Sequence, residues 1–286
     1  MNLAYFTKTP CCKTTDGLIE LARKIDVDAL DLCVRPGYVV EPANSARKLR
    51  GVVQTLRDAG LAVPMVSAPT GMADSGDPDA RQLIAAAGDA GVGLVKLGYF
   101  RPIHRDYRRQ VDDARKHLST FADLGGRSGV RILYHTHCNC LGYGAAALLQ
   151  LIDGLDPSHL GAYLDTCHSW LAGEPWDAAM DMLEPRLAAV ALKDVTMKME
   201  GKGRTAAQVL VPPAPQGMVD WDMVFLELRE RRFDGPLSVQ AEFEYIKPEE
   251  AFLDAVAQQI QFLRFKTISD ASLHRHTCES STGRSR

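Results

Sequence analysis

The chain has 286 residues, of which 46% are apolar and 24% charged, so it can bury a sizeable core as one domain. Its formal net charge of -3 disfavours nucleic acid and anionic membranes as partners. Because it has neither a basic, apolar leader nor a run of roughly 20 apolar residues, we predict a cytoplasmic protein that acts on a small molecule.

Short apolar runs alternate with longer helical stretches, which is the pattern of consecutive strand–helix–strand units. The predicted helices between the strands include 45–59, 79–90, 106–124, 145–152 and 249–265. Eight units favour a closed (β/α)₈ TIM barrel over an open doubly wound sheet, and no Gly-x-Gly-x-x-Gly follows the first strand. The eight predicted strands are 3–6, 29–34, 62–67, 94–97, 131–137, 162–165, 188–193 and 237–242.

The predicted barrel occupies residues 1–268 as a single domain. Its longest interruption, 196–220, is rich in glycine and proline and lies between the seventh strand and its helix. A loop of that length is uncommon inside a compact domain, so it is either a lid over the barrel mouth or a surface insertion. From residue 269 the chain is polar, and we predict a disordered tail over 269–286.

The seven cysteines are odd in number and scattered, which predicts reduced thiols rather than a disulfide framework. Cys138 and Cys140 flank one residue, as some zinc ligands do. No second pair stands at zinc-finger spacing, so loop thiols near a strand end are the favoured interpretation.

Two histidines end the predicted fifth strand, and the carboxyl ends of barrel strands are where catalytic groups lie. His135 and His137 are two residues apart, so their side chains project to the same side. Such a pair suggests a metal site, although one histidine could instead bond a backbone carbonyl. We predict that at least one is a metal ligand and leave open which.

A carboxylate closes the predicted sixth strand, where burial is costly unless the group is paired or binds a metal. We therefore predict that Asp165 is either paired with a cation or bound to a metal. His168 follows one turn later and is a candidate to donate to a substrate hydroxyl or to move a proton. The alternative for His168 is a place in the N-cap of a helix.

The last two predicted strands add a cation and two polar groups. Lys193 ends the seventh strand and is a candidate to stabilise an oxyanion, with a salt bridge to Asp165 or Glu242 as the alternative. Gln240 and Glu242 share one face of the eighth strand. We predict that Gln240 binds substrate and that Glu242 is a metal ligand or a base.

Further candidates for substrate binding follow the second and fourth strands: Arg35, Tyr99, Arg101 and His104. Arginine suits bidentate recognition of a carboxylate or phosphate, which predicts an acidic or phosphorylated sugar. Salt bridges at the rim would place the same residues there.

In their order, these strand ends resemble the xylose isomerase-like barrels, which include sugar phosphate isomerases/epimerases and the apurinic endonuclease type. The resemblance covers nearly the whole chain and is carried by 31–37, 134–137, 164–168, 192–194, 217–221 and Glu242.

This resemblance implies a divalent metal ion (Mn²⁺, Mg²⁺, Co²⁺ or Zn²⁺) held by glutamate, aspartate, histidine and glutamate of the fifth to eighth strands. Asp165 and Glu242 match that pattern. His135 replaces the first glutamate, Ala191 stands at the histidine position, and His137 could complete the set. The predicted ligands are therefore His135, His137, Asp165 and Glu242.

The resemblance predicts a metal-dependent isomerase or epimerase of a sugar or sugar phosphate that abstracts a proton next to a carbonyl. His135 or Glu242 would be the base. A lyase or dehydratase acting by β-elimination on a keto-sugar or keto-glycoside shares this first step. A non-catalytic sugar-binding barrel is a further alternative because of Ala191, whereas few ligands and a negative chain disfavour a nuclease. The sequence leaves open whether the protein is a homo-oligomer.

Overall fold

The computed structural model describes residues 2–103, 105–199, 207–243 and 245–268. Within them, eight parallel strands form a closed barrel in which the last strand pairs with both the seventh and the first. This confirms the predicted TIM barrel. The barrel strands are β1 (Asn2–Phe6), β2 (Ala29–Cys33), β3 (Ala62–Ser67), β4 (Leu94–Lys96), β5 (Arg131–His135), β6 (Leu160–Asp165), β7 (Leu187–Leu192) and β10 (Pro236–Val239).

The helices surround the barrel and bury an apolar face against it. In α2, for example, Leu49, Val53 and Leu56 recur at helical spacing and are fully buried, while the opposite face carries charged residues. The helices are α1 (Thr15–Ile25), α2 (Ser45–Asp58), α3 (Pro78–Asp89), α4 (Tyr107–Ser128), α5 (Ala145–Ile152), α6 (Thr166–Ala172), α7 (Trp176–Leu183), α8 (Trp221–Glu230) and α9 (Glu249–Ile268).

The interior of the barrel contains a layer of apolar side chains, and the side chains nearer the carboxyl ends of the strands are polar. A small buried cluster includes Met65, Leu133, Tyr163 and Ala191. Beside it the Asp31 carboxylate accepts hydrogen bonds from the hydroxyls of Ser67 (2.8 Å) and Ser238 (2.7 Å). Burial raises the pKa of Asp31 to about 6 despite these bonds.

The long interruption after β7 contains regular structure. Strands β8 (Thr196–Met199) and β9 (Ala207–Leu210) pair antiparallel outside the barrel. Asp194 fixes the chain beyond this hairpin, because its carboxylate accepts from the Gly217 N–H (2.9 Å) and the Trp221 indole N–H (3.2 Å). Whether the hairpin acts as a lid stays a prediction.

Five strands end one to three residues earlier than predicted, and two of these ends, in β5 and β10, matter most for the site. Strand β5 ends at His135, so His137 lies in the following loop, and β10 ends at Val239, before Gln240 and Glu242. The Gln240 N–H still donates to the Leu192 carbonyl (3.1 Å), which keeps this segment beside β7.

The predicted tail 269–286 lies outside the described residues, so the domain limits stay a prediction. In the described part, every helix is too short or too polar to cross a bilayer.

Candidate functional site

A small cavity of about 80 Å³ opens at the carboxyl ends of the strands. Cations outnumber anions in its wall, which favours an electron-rich or anionic ligand. Seven predicted site residues line it: Arg35, Tyr99, His135, His137, Lys193, Gln240 and Glu242.

Lys193 lies at the centre of the buried polar groups below this cavity and is 3% exposed. Its Nζ atom is 3.2 Å from Asp165 Oδ2 and 3.3 Å from Glu242 Oε2, and 3.1 Å from His168 Nε2. Burial opposes the charge, but the two carboxylates outweigh it and raise the pKa of Lys193 above its ordinary value. Lys193 is therefore an ammonium ion at neutral pH and makes both of the salt bridges that the sequence offered as alternatives.

Asp165 is fully buried and uses its two oxygens for different contacts. Oδ1 accepts the His168 N–H at 3.0 Å and so caps helix α6, while Oδ2 lies 3.2 Å from both His135 Nε2 and Lys193 Nζ. Burial alone would raise the pKa of Asp165, but Lys193 and His168 hold it well below its ordinary value. The carboxylate stays charged and is a weak base.

Glu242 lies between two lysines. Its Oε2 contacts Lys193, and its Oε1 accepts from Lys8 Nζ at 2.6 Å. Lys193 lowers the pKa of Glu242, burial opposes that change, and Lys8 lowers it further. A carboxylate with two ammonium partners is a weak base, so this geometry disfavours the predicted role of Glu242 in proton abstraction.

The two histidines that end or follow β5 have different surroundings. His135 is 2% exposed, its Nδ1 is 2.7 Å from the Tyr99 hydroxyl, and burial lowers its pKa to about 3. His135 is therefore neutral at pH 7 and weakly basic. Burial also lowers the pKa of the partly exposed His137, whose Nδ1–H donates to the Cys138 carbonyl at 2.7 Å. That bond assigns the free lone pair to Nε2 of His137, which lines the cavity.

Lys96 belongs to the same cavity, and the sequence reasoning missed it. It closes β4, is 4% exposed, and places its Nζ 3.8 Å from the centre of the Tyr99 ring. Burial and the nearby Arg35 lower the pKa of Lys96 to about 7. The available signal was a lysine closing an apolar strand, the same signal that identified Lys193.

Three predicted site residues within the described part of the chain do not line this cavity, and one of them is Asp165, which is fully buried. Arg101 is exposed and lines a separate surface cleft with His117 and Asp113. His168 is 5% exposed and reaches the buried cluster from α6. His104 lies outside the described residues.

The donors do not fit a divalent ion in the place expected for it. Ala191 offers no ligand atom, and the Lys193 ammonium lies between Asp165 and Glu242. In the part of the chain that the structure describes, only two groups of three or more candidate ligand atoms lie within 4.8 Å of one another. They are His137 with Cys138 and His168, and Asp165 with Cys167 and His168. Neither group contains His135 or Glu242, so the predicted four ligands do not converge, and the metal stays a prediction.

The sequence profile described as xylose isomerase-like TIM barrel matches residues 19–264, most of the chain. No curated protein gives a significant sequence match.

Solved structures similar to this chain share its fold at low sequence identity. D-psicose 3-epimerase with D-tagatose from Clostridium cellulolyticum H10 has a TM-score of 0.71 and 12% identity, over 93% of this chain and 99% of that one. A xylose isomerase-like TIM barrel protein from Mycobacterium smegmatis in complex with magnesium has a TM-score of 0.68 and 15% identity, over 93% and 96%. The probable 3-DHS dehydratase involved in petrobactin synthesis from Bacillus anthracis has a TM-score of 0.66 and 16% identity, over 92% and 99%.

Proposed function

The chain belongs to the xylose isomerase-like TIM barrel family, and we propose that it is a carbohydrate isomerase or epimerase that moves a proton at a carbon next to a carbonyl. One observation carries this proposal. Two lysines, Lys96 and Lys193, line the same cavity in different electrostatic surroundings. Lys193 therefore keeps its charge, while Lys96 can lose its proton near neutral pH.

Proton abstraction next to a carbonyl needs a base that is unprotonated at the working pH and a positive group near the oxygen where charge develops. The neutral amine of Lys96 is the better base, because Glu242 and His135 are weakly basic in this setting. The carbon–hydrogen electron pair moves into the enediolate, and the proton moves to Lys96 Nζ.

The fate of that proton separates isomerisation from epimerisation. Return of the proton from Lys96 to the neighbouring carbon gives the isomer. Epimerisation needs a second proton carrier on the other face of the sugar, and the His137 Nε2 lone pair in the same cavity supports that role. His135 and His168, which were predicted to be catalytic, would act by positioning Tyr99 and Asp165.

The cavity wall supports an oxygen-rich substrate. Arg35 lines it, and its buried Nε–H has no hydrogen-bond partner among the described residues, so a substrate oxygen would satisfy it. A phosphate or carboxylate on the sugar is the group that a guanidinium binds best. Gln240 offers a further polar contact through its amide, which already reaches the Tyr163 hydroxyl at 3.1 Å.

A lyase or dehydratase is the second candidate. The similarity of fold to a probable 3-DHS dehydratase favours it, and the first step is the same. In this case a β-substituent leaves with its electron pair in place of reprotonation at carbon, and an unsaturated product results.

The test is incubation of the purified protein with keto-sugars and keto-sugar phosphates in D₂O, followed by NMR and mass spectrometry. Deuterium on carbon without loss of a group supports an isomerase or epimerase, whereas an unsaturated or cleaved product supports the lyase. Lys96→Met should abolish exchange, while Lys116→Met, at a side chain 76% exposed, should not. Sugar binding without exchange or elimination across the panel would contradict both and identify a binding protein.

A further inference from the structure

The ammonium group of Lys193 lies between Asp165 and Glu242, two of the residues that the family resemblance predicts to hold a metal ion. We propose that the Lys193 ammonium replaces the divalent ion, so that the protein works without a resident metal and Lys193 holds the substrate oxygen on which negative charge develops. The catalytic half of this inference rests on the proposed function. The metal half stands independently of it.

The donors around Lys193 Nζ are those that a metal would take. Two carboxylates, an imidazole and an amide surround it: Asp165, Glu242, His168 and Gln240, whose Oε1 is 3.5 Å away. The distances to His168, Asp165 and Glu242, at 3.1 to 3.3 Å, are close to the usual length of an N–H contact, whereas Gln240 at 3.5 Å lies beyond it. The ammonium therefore occupies the space between the two carboxylates in which a divalent ion would have to bind.

Among the groups in direct contact with Lys193 and Glu242, the charges are balanced without a further ion. Asp165 and Glu242 supply two negative charges, and Lys193 and Lys8 supply two positive ones. A divalent ion added beside Lys193 would meet an ammonium within the same ligand shell, where like charges repel strongly in a buried setting.

The backbone holds Lys193 in this place. The Thr166 hydroxyl accepts the Lys193 N–H at 2.9 Å and donates to the Lys193 carbonyl at 2.7 Å, which fixes the end of β7 against α6. Two residues earlier, Ala191 carries only a methyl group, so β7 offers no ligand in place of the lysine. The end of β7 therefore offers an ammonium, at Lys193, and no metal donor at Ala191.

An ammonium can perform the part of the metal that this reaction needs. Lys193 lines the cavity, so one N–H can turn from Gln240, its most distant neighbour, to a substrate carbonyl oxygen. It would then stabilise the enediolate as a hydrogen-bond donor with full positive charge. Asp165 and Glu242 keep it charged throughout, and no bond to the lysine forms or breaks.

The test measures Mn²⁺ binding by chelator-treated protein, using the electron paramagnetic resonance signal of free Mn²⁺ at pH 7. Mn²⁺ suits carboxylate and imidazole donors and avoids the thiols near His137. Wild type should bind less than 0.1 equivalent at about 100 μM Mn²⁺, since its cation position is filled. Lys193→Ala opens that position between Asp165 and Glu242 and should bind one ion.

Lys96→Ala is the matched control, because it removes a lysine from the same cavity but not from between the carboxylates, and it should bind no Mn²⁺. If Lys193→Ala does not fold, Lys193→Gln is measured in its place, with circular dichroism as the check. One tightly bound Mn²⁺ in wild type, or no binding by a folded Lys193 variant, would overturn the proposal.

Activity gives a second readout once a substrate is found by deuterium exchange. Chelated wild type should keep its full rate, and loss of the rate that Mn²⁺ restores would refute the inference. Absence of exchange with every sugar contradicts the proposed function instead, and leaves the Mn²⁺ result to decide the place of the ammonium.

Discussion

Replacing Lys193 with methionine should destabilise the protein, and the size of the effect follows from burial. The lysine side chain is 2% exposed and that of Asp165 is 0% exposed, so the variant leaves a carboxylate without its cation inside the protein. Removing one partner of a buried ion pair costs roughly 3–5 kcal/mol of unfolding free energy. Methionine has a similar volume, so little of this cost comes from a cavity. Glu242 retains Lys8, which confines the effect mainly to Asp165.

The loss of unfolding free energy in Lys193→Met should depend on pH, and the surroundings of Asp165 determine whether it grows or shrinks as the pH rises. In wild type the folded pKa of Asp165 lies well below its unfolded value of roughly 3.9, so its charge stabilises the fold above that pH and the contribution is lost on acidification. Without Lys193, burial raises the folded pKa instead, and the penalty appears as the pH rises through it. The deficit of the variant therefore grows between pH 4 and pH 7 and is largest at pH 7.

Urea unfolding followed by circular dichroism between pH 4 and pH 7.5 measures this difference. Lys116→Met is the control, because Lys116 pairs with Asp113 on the surface at 76% exposure and should change stability by at most about 0.5 kcal/mol. An unchanged urea midpoint for Lys193→Met at pH 7, or a deficit of equal size at pH 4 and pH 7, would refute the reasoning.

Three further predictions concern other positions. Asp31→Asn should gain stability over wild type as the pH rises from 4 to 7, by at most about 3 kcal/mol, because a folded pKa of about 6 means that the wild-type carboxyl loses stability as it ionises; a pH-independent difference in urea midpoint would contradict this. Gly217→Ala should cost about 1–3 kcal/mol, since its Cβ would lie 2.2 Å from Asp194 Oδ1. Gly51 lies within α2, and a Cβ there would meet no other atom, so Gly51→Ala should gain about 0.5–1 kcal/mol of unfolding free energy. Equal melting temperatures of Gly217→Ala and Gly51→Ala would show that the close contact with Asp194 is not what limits position 217. The rate of deuterium exchange should rise with pH through about 7 as Lys96 loses its proton, and Lys96→Met should lower it by at least about 100-fold; an unchanged pH profile in that variant would remove Lys96 as the base.

The barrel could be predicted from the sequence because the information is local. Each run such as 62–67 shows its strand by apolar and β-branched residues, and each helix such as Ser45–Asp58 shows its buried face by periodicity. The ends of β5 and β10, predicted at His137 and Glu242 but found at His135 and Val239, could not be placed from the sequence, since pairing with a neighbouring strand decides where a strand stops. The hairpin of β8 and β9 inside the long interruption was not foreseen for the same reason.

Most of the candidate site could also be located, because barrel strands bring their carboxyl ends to one mouth. Asp165, His135 and Lys193 were singled out as polar residues that end apolar strands, and they lie together. Lys96 was missed although it ends β4 in the same way. Its importance depends on a buried environment in which no carboxylate of the described residues forms a salt bridge with it, and no spacing in the sequence reports that.

The sequence by itself determined the order of strands and helices and the residue types that face the mouth, because periodicity and strand ends are properties of neighbouring residues. Only the tertiary structure decided which charged side chains contact one another. Lys8 and Glu242, 234 residues apart, contact each other because β1 and β10 close the barrel. Lys193 lies between Asp165 and Glu242 because β7 stands between β6 and β10. Distance and burial set the charge of each group, and these depend on the folded arrangement of the whole chain.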